Sequence, residues 1–427
     1  MDAPTSDLGE RPIARCNVLG AVPFSEDHDF LNRPYLTESH RKTLDLVRMW
    51  MIAAGMGVRL DPLGNLIGRY EGSRLNAPAL LIGSHIDTVR DGGRYDGALG
   101  VMLGIECVEQ LNRAGRRLPF ALEVIAFGDE EGSRFPASML CSRGVAQPLG
   151  AEVLDLEDAE GVSLRQALMD FGLDPTDIAK AARKPGEVFA YLEAHIEQGP
   201  VLEAMDLPVG AVTGIAAQLR MKARFIGEAG HAGTSPMGLR KDAIAASAEA
   251  VLAIEQICGS GEPDLRGTVG RFLPKTSAYN VIAGEVEVGI DLRAASRPVR
   301  DAAAEQIQAR LMEICDRRGV DLEFSIVQDL QDTPCDERLI RLMSDAIEAT
   351  GVASYTLVSG AGHDAMALKT LCPVAMLFIR CERGVSHNAE EAVAAGDVAV
   401  AVRALVEFVE RLAMDAGFDT CRETACA

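Results

Sequence analysis

Long apolar runs are missing from this chain. Nowhere do about 18 consecutive apolar residues occur, the length that a helix needs to cross a bilayer. Basic residues are also scarce, since 42 Lys and Arg face 63 Asp and Glu and the formal net charge is −21 at pH 7. A surface of this charge repels nucleic acid and anionic membranes, so we expect neither as a partner. An anionic ligand would need a local cationic site.

Closely spaced cysteine pairs are absent as well. The ten cysteines are scattered without any C-x-x-C pair, and the polar, acidic N-terminal stretch MDAPTSDLGERP has no features of a secretory signal. We therefore expect free thiols in a reducing cytoplasm. The composition, 48% hydrophobic and 25% charged, is ordinary for a globular protein, and 427 residues suggest roughly two to three domains.

The stretch Leu80–Gly100 carries the first chemical signal. The apolar run Ala79–Gly83 predicts a buried strand, and His85, Asp87 and Asp96 follow it in a glycine-rich turn. In open α/β sheets, such turns bring side chains to a crevice at the carboxyl edge. His85 and Asp96 suit a divalent metal, and Asp87 could accept the second ring N–H of His85. Taken alone, the segment fits a polar loop with one incidental histidine equally well.

A second apolar run, Leu122–Phe127, ends in three consecutive acids, Asp129, Glu130 and Glu131. Three carboxylates at a strand end repel one another unless a cation or a shared proton offsets their charge. Because neighbouring side chains point in different directions on an extended backbone, one of Glu130 and Glu131 can bind a metal while the other faces a water molecule. A solvated acidic turn is the alternative interpretation.

Strand, polar turn and helix alternate through the first half, which predicts an α/β domain. Residues 1–36 are rich in Pro and Asp and are predicted to be irregular. From Thr213-Gly214 the pattern becomes β-α-β-β-α-β, typical of a ferredoxin-like unit. The chain then returns to α/β, with a predicted helix over residues 337–349 and a predicted strand over Val374–Ile379. It closes with a helix from Glu390 to about Ala413, before a tail after Gly417 that we expect to be mobile. The predicted domains are residues 1–213, the first part of a catalytic domain, 214–330, an inserted domain, and 331–427, the second part of the catalytic domain.

Histidine is rare, with seven residues in the whole chain. Five of them occur in turns that also carry glycine or acidic residues, namely His85, His195, His231, His363 and His387. Histidines buried only for packing rarely distribute in this way, although any one of them alone could be structural.

Eight ordered motifs carry a resemblance to a known family: GSHIDTV, Asp96-Gly97, GDEEGSRF, AHIEQGPVLE, GEAGHAGTSPMGLRKDA, NVIAGEVEVGIDLR, SGAGHDA and GVSHNAEE. From about residue 20 to 412 the chain resembles the M20 metallopeptidase-type amidohydrolases. More narrowly, it resembles their hydantoinase/carbamoylase branch, which holds allantoate amidohydrolase, N-carbamoyl-L-amino-acid hydrolase and β-ureidopropionase. The resemblance implies an α/β catalytic domain with an inserted ferredoxin-like dimerisation, or lid, domain.

The resemblance also implies two divalent metal ions, Zn²⁺ or Mn²⁺, with Co²⁺ as a further option. Asp96 would bridge them, His85 and His195 would complete one site, and Glu131 and His387 would complete the other. Peptide-cleaving relatives place a carboxylate where this chain has His195. That difference favours the branch that acts on ureido groups.

The remaining implied roles concern proton transfer and substrate binding. By resemblance, Glu130 is the general base, and His231 stabilises the oxyanion from the partner subunit of a homodimer joined through the inserted domain. Asn280 and Arg293 would hold the carboxylate of the substrate, with an Asp291–Arg293 surface ladder as the alternative for Arg293. Further roles fall to residues that would contact the substrate, Gln198, Gly360 and Ala361, or support the ligands, Asp87 and His363.

Two departures from the family pattern leave the specificity open. Ala283 replaces the usual proline of NVIPG, and Cys381-Glu382-Arg383 replaces a commoner Pro-Ser approach to His387. The predicted reaction is hydrolysis of the terminal ureido group of a small carboxylate, with release of ammonia and carbon dioxide. Allantoate is the favoured substrate and N-carbamoyl-L-amino acids are the alternative. A dipeptidase is disfavoured by His195, and an inactive scaffold by the presence of every expected ligand and of Glu130.

Overall fold

The computed structural model describes residues 7–74, 76–259, 261–276 and 278–415. The tail after Gly417, expected to be mobile, and two of the ten cysteines lie outside these residues. The eight cysteines inside them are free thiols. No helix in the described part combines the length and apolar character needed to cross a membrane.

The helices are α1 Asp7–Leu19, α2 Glu38–Ala53, α3 Ala98–Arg113, α4 Leu140–Ala146, α5 Leu164–Asp170, α6 Val201–Ala204, α7 Ala243–Cys258, α8 Arg297–Arg318, α9 Glu337–Ala349, α10 Ala365–Leu368 and α11 Ala395–Met414. The strands are β1 Gly57–Leu60, β2 Leu66–Tyr70, β3 Ala79–His85, β4 Ala121–Phe127, β5 Val188–Ile196, β6 Val209–Ile215, β7 Ala217–Ile226, β8 Gly230–His231, β9 Arg266–Pro274, β10 Val281–Ile282, β11 Glu285–Ala294, β12 Asp321–Leu330, β13 Thr333–Pro334, β14 Thr356–Ser359 and β15 Val374–Ile379.

The chain divides into two compact units. The first comprises residues up to Thr213 and from Cys335 onward, and the second is Gly214–Pro334, which ends four residues beyond the predicted 330. The second unit is therefore inserted between two stretches of the first.

The first unit is built on a mixed sheet with the strand order β1-β2-β4-β3-β5-β15-β6, and β14 also pairs with β6. The four strands β4, β3, β5 and β15 are parallel to one another, whereas β2 and β6 join them antiparallel on either side. Every residue of β3, β4 and β15 is buried, as expected for parallel strands covered on both faces. Since the four strands run in one direction, their carboxyl ends share one edge of the sheet.

Residues 1–36 are not irregular throughout, which corrects the prediction, because α1 spans Asp7–Leu19. Pro12 lies inside this helix, where it removes one backbone hydrogen bond, so local propensity argues against the element. Packing compensates, because Cys16 and Leu19 are buried where α1 lies against α3 and α11. The closing helix α11 likewise begins at Ala395, five residues later than predicted.

The second unit has a four-stranded antiparallel sheet in the order β12-β7-β11-β9, with α7 and α8 packed against it. This is the β-α-β-β-α-β order read from the sequence, with the first and third strands central as in ferredoxin-like units. Alternate residues of β11 are buried, and their core includes Val288 and Ile290 together with Phe225 of β7 and Leu311 of α8. Within this unit β8 and β10 form a separate two-stranded ribbon that the pattern did not predict.

Candidate metal centre

Histidine and acidic residues collect at the carboxyl edge of the four parallel strands. His85 is the last residue of β3 and His195 is the penultimate residue of β5. Glu130 and Glu131 follow β4, and His387 follows β15. Strands that run in parallel thus bring four distant segments of the chain to one place.

Asp96 lies at the centre of this cluster. Its Oδ1 is 3.3 Å from Nε2 of His85 and 3.1 Å from Nε2 of His195, while its Oδ2 is 3.1 Å from Nε2 of His387. The same Nε2 of His387 is 3.4 Å from Oε1 of Glu131. Each carboxylate oxygen of Asp96 therefore faces a different set of side chains.

These sets fit divalent cations. Ligand atoms of His85, Asp96 and His195 lie within 4.8 Å of one another, as do those of Asp96, Glu131 and His387. Neutral imidazole with carboxylate is a donor combination that suits Zn²⁺, Mn²⁺ or Co²⁺. The two sets share only Asp96, the residue expected to bridge them.

Main-chain carbonyl groups orient both buried imidazoles. Nδ1 of His85 lies 3.1 Å from the carbonyl oxygen of Asp87, and Nδ1 of His195 lies 2.9 Å from that of Ile196. When Nδ1–H donates to a carbonyl oxygen, the lone pair of the neutral ring is on Nε2, the atom that faces Asp96. Both rings are thus held in the tautomer that a metal ligand needs.

The side chain of Asp87 also makes hydrogen bonds that the sequence pattern did not reveal. Its carboxylate accepts the backbone N–H of Glu130 over 3.1 Å and that of Glu131 over 3.2 Å. The main-chain oxygen of Asp87 is closer to the His85 ring than its side chain, whose Oδ1 lies 3.4 Å away. Asp87 therefore ties the turn after β3 to the acidic turn after β4.

The pKa values of the buried acidic side chains are shifted by burial and by the neighbouring charges. Burial alone would raise the pKa of Asp96, but contacts with His195, His387 and His85 outweigh it and hold that pKa well below the usual range. Burial, reinforced by the charges of Glu131 and Asp364, raises the pKa of Glu130 well above normal although His85 opposes it. Burial also raises the pKa of Glu131 to about 7, again against the effect of His85. Such an excess of buried acid is what a bound cation would offset.

Gly97 directly follows Asp96, at a position that requires glycine. Its φ is +63°, and a Cβ at this position would lie 2.5 Å from atoms of the His85 ring. A side chain here would strain the backbone and displace a candidate ligand.

Comparison with known proteins identifies the family. The sequence profile of peptidase family M20/M25/M40 matches residues 81–411, which is most of the chain. This chain belongs to the M20/M25/M40 peptidase family. Its members include metal-dependent hydrolases of C–N bonds, and this M20 chain is an enzyme of that kind.

Its relatives point to one branch of the M20 family. The N-carbamoyl-L-amino acid amidohydrolase of Geobacillus stearothermophilus is 41% identical over 405 residues, which cover 95% of this chain and 98% of the relative. A probable allantoate deiminase of Oryza sativa subsp. japonica is 38% identical over 449 residues, covering 98% of this chain and 91% of the relative. The crystal structure of a hydantoinase/carbamoylase family amidase from Burkholderia ambifaria superposes with a TM-score of 0.87 and 36% identity, covering 96% of this chain and 98% of that one.

Gln198 lies inside the candidate metal centre. Its Nε2 donates to Oδ2 of Asp96 and to Oγ of Ser386, both over 3.0 Å. Its backbone has a φ of +57°, which is uncommon outside glycine. A polar group of a substrate could compete for the same amide.

The loop after β14 carries three further predicted residues, Gly360, Ala361 and His363. The hydroxyl of Ser359 accepts the backbone N–H of Ala361 over 3.1 Å and lies 2.8 Å from Nε2 of His363. The His363 ring packs edge-on against that of His195, with 4.5 Å between centroids. Burial, helped by the neighbouring His195, holds the pKa of His363 well below normal, so a neutral ring packs against the candidate ligand His195.

Three predicted residues, His231, Asn280 and Arg293, lie in the second unit. The short β8–β10 ribbon brings the first two together, since the N–H of Ala232 donates to the carbonyl oxygen of Asn280 over 2.9 Å. Nδ1 of His231 accepts the N–H of Gly233 over 3.1 Å, so the proton of the neutral ring is on Nε2.

Arg293 is engaged by Asp291, as the alternative interpretation anticipated. Its Nε and Nη2 contact the two carboxylate oxygens of Asp291 over 2.7 and 3.0 Å. A substrate carboxylate would have to share this guanidinium.

Sequence reasoning missed two residues beside Asp96, namely Ser386 and Glu391. Oε1 of Glu391 accepts the backbone N–H groups of Tyr95 and Asp96, and the hydroxyl of Ser386 lies 3.1 Å from its Oε2. Both are part of the GVSHNAEE motif, but no local pattern distinguishes Glu391 from the exposed Glu390.

Proposed function

We propose that this chain hydrolyses the terminal ureido C–N bond of a small carboxylate, releasing ammonia and carbon dioxide, with allantoate as its preferred substrate. The observation that supports this proposal is the convergence of five candidate ligands and a buried glutamate, Glu130, at one sheet edge. Relatives named for allantoate and for N-carbamoyl amino acids support the substrate class.

The ligands would hold two divalent ions, Zn²⁺ or Mn²⁺, with Co²⁺ as a further option. Asp96 would be shared, with His85 and His195 on one side and Glu131 and His387 on the other. When bound, such ions polarise a carbonyl group and make water more acidic, which a resonance-stabilised ureido group requires.

Glu130 would act as the general base. Its carboxylate would take a proton from the attacking water and later pass it to the departing nitrogen. The Glu130 side chain is buried next to the candidate ligands His85 and Glu131. Its backbone is held by Asp87, which keeps the carboxylate beside the ligand set.

The second unit would complete the reaction from a partner subunit. We propose a homodimer joined through the second units, in which Nε2–H of His231 donates to the oxyanion that forms on the ureido carbon. Asn280 and the Arg293–Asp291 pair would bind the substrate carboxylate, and Gln198, Gly360 and Ala361 would contact its ureido end. The free thiols agree with a cytoplasmic location, where we place the enzyme and its role in purine breakdown.

A specific observation favours a second candidate substrate. The N-carbamoyl-L-amino acid amidohydrolase of G. stearothermophilus is 41% identical, slightly more than the allantoate deiminases. Both substrates present a ureido group near a carboxylate. Allantoate needs polar room for a second ureido group, whereas an N-carbamoyl amino acid needs an apolar or variable pocket.

The deciding experiment measures ammonia release from protein reconstituted with Mn²⁺ or Zn²⁺, using allantoate and a panel of N-carbamoyl-L-amino acids. We expect allantoate to be preferred at least about tenfold in kcat/KM, equivalent to about 1.4 kcal/mol of transition-state binding. The reverse preference would make the enzyme a carbamoylase. No turnover of either substrate by metal-loaded protein would refute the ureido proposal, and a dipeptide panel would then test peptide cleavage.

A further inference from the structure

Glu391 joins two turns that carry candidate ligands of the metal centre. Its Oε1 accepts the N–H of Tyr95 over 2.8 Å and that of Asp96 over 3.0 Å, which fixes the backbone of the shared ligand. Its Oε2 lies 3.1 Å from the hydroxyl of Ser386, the residue before His387. One carboxylate thus connects the turn before α3 with the turn after β15, over nearly 300 residues of sequence.

The absence of a side chain at Gly93 leaves room for this carboxylate. Glu391 is 5% exposed, and a Cβ on Gly93 would lie 2.1 to 2.3 Å from its carboxylate atoms. The neighbouring Glu390 differs completely, since it is exposed and pairs across the surface with Arg383 over 3.0 Å. Only one of these adjacent glutamates therefore reaches the centre.

The hydroxyl of Ser386 has a single proton, which it can donate to either of two carboxylates. Its Oγ is 3.0 Å from Oδ2 of Asp96 and 3.1 Å from Oε2 of Glu391, and it accepts the amide of Gln198. If the proton is directed to Glu391, a lone pair of Asp96 Oδ2 remains available on the side that faces His387. The carboxylate of Glu391 thus competes for a donor that would otherwise occupy the shared ligand.

We propose that Glu391 is a positioning residue for metal bound by Asp96, Glu131 and His387. It fixes the Asp96 backbone, orients the turn that bears His387 and draws the Ser386 hydroxyl away from Asp96 Oδ2. Metal held by His85 and His195 depends on it less, because those rings are oriented by other carbonyl groups. This inference rests on the metal centre of the proposed function, but it does not depend on the substrate.

The test compares Glu391→Gln with the matched surface variant Glu390→Gln. In Glu391→Gln the oxygen of the new amide can still accept both backbone N–H groups, but its NH₂ would then face Ser386 and turn that hydroxyl towards Asp96. We expect Glu391→Gln to lose at least about tenfold in affinity for the second metal, so that tightly bound Zn²⁺ after dialysis falls from two ions per chain to one. Glu390→Gln should retain both.

Metal content, measured by mass spectrometry and by competition with a chelator, gives the readout without activity. Two tightly bound ions of unchanged affinity in Glu391→Gln would overturn the proposal, as would a lower melting temperature of the metal-free protein with unchanged metal content. Glu391→Ala, which removes all three bonds, should lose the second ion completely, and Glu391→Gln still decides if Glu391→Ala does not fold. Wild-type protein that binds two ions but hydrolyses no ureido acid would refute the proposed function alone, leaving this test valid.

Discussion

Asp96, the residue that both candidate ligand sets share, shows how much of the candidate centre depends on single side chains. Its two oxygens face different histidines, its backbone is held by Glu391, and its successor must be glycine. A carboxylate in this position has little freedom to move. We therefore expect the candidate centre to be sensitive to substitutions of residues that are not themselves candidate ligands.

Replacing Glu130 separates proton transfer from metal binding. Glu130→Gln keeps the shape of the side chain but cannot take a proton, so we expect turnover to fall roughly 10²- to 10⁴-fold while metal content stays the same. Ammonia release and metal analysis of one preparation measure both. The exposed Glu160→Gln serves as control, and near-normal turnover in Glu130→Gln would remove Glu130 as the base.

Gly97→Ala tests the close approach to His85 against a matched glycine. Gly115 has almost the same φ, +64°, but a Cβ there meets nothing within 4 Å. Gly115→Ala should therefore cost only the backbone strain, about 1–2 kcal/mol of unfolding free energy. Gly97→Ala should cost more and should also lower metal affinity, because the His85 ring must move. Equal unfolding free energies and equal metal content in the two variants, from urea denaturation and metal analysis, would contradict this account.

Candidate metal ligands are easier to recognise from local sequence than the residues that position them. Candidate ligands such as His85 and Glu131 follow apolar strands, so a short window of sequence shows both the strand and the polar turn. Ser386 and Glu391 lie about 290 residues from the Asp96 turn that they contact, and no local pattern encodes that distance. Asp87 is an intermediate case. Its proximity to His85 was predictable from the sequence, but its hydrogen bonds to the turn after β4 were not.

At the scale of elements, boundaries were predicted best where hydrophobic period and turn residues agree. Helix α9 and strand β15 have their predicted limits, Glu337–Ala349 and Val374–Ile379. Strands β6 and β14 were missed because neither has a clear apolar alternation. Helix α1 was missed because Pro12 and the acidic composition argue for a loop, whereas contacts with distant helices decide its structure.

One of those contacts is a cluster of charged side chains between α1 and α3, formed by Arg11, Arg15, Glu106 and Glu109. We expect this cluster to stabilise the fold. Nη2 of Arg11 lies 3.0 Å from the carboxylate of Glu106, whose side chain is completely buried in α3. Arg11→Met should destabilise the metal-free protein by about 1–3 kcal/mol, because it leaves a buried carboxylate without its main cation. Urea denaturation measures the loss.

The double variant Arg11→Met with Glu106→Gln provides the control. Without the buried charge, most of the lost stability should return. A double variant no more stable than Arg11→Met would show that the guanidinium contributes through packing instead.

At the scale of the whole molecule, the proposed dimer makes a prediction that does not require its structure. Glu130→Gln lacks the base and His231→Ala lacks the oxyanion donor, so each variant alone should be inactive. If His231 acts on the partner's centre, an equal mixture of exchanged subunits should recover roughly a quarter of wild-type activity, since about half of the dimers are mixed and each has one intact site. No recovery in dimers shown by mass spectrometry to be mixed would place a complete site within one chain.

The insertion of the second unit also has a consequence for biosynthesis. In the sequence, Asp96 precedes the second unit and the Ser386–His387 turn follows it, with 290 residues between Asp96 and Ser386. At about 5–20 residues per second, a ribosome needs roughly 15–60 s to synthesise that interval. During the later part of this time, once His195 has been added, the nascent chain carries the candidate ligands His85, Asp96 and His195 without His387 and without strand β15, which pairs with β5. The central sheet and its candidate metal centre can therefore be completed only late in translation, whereas the inserted unit can fold earlier on its own core.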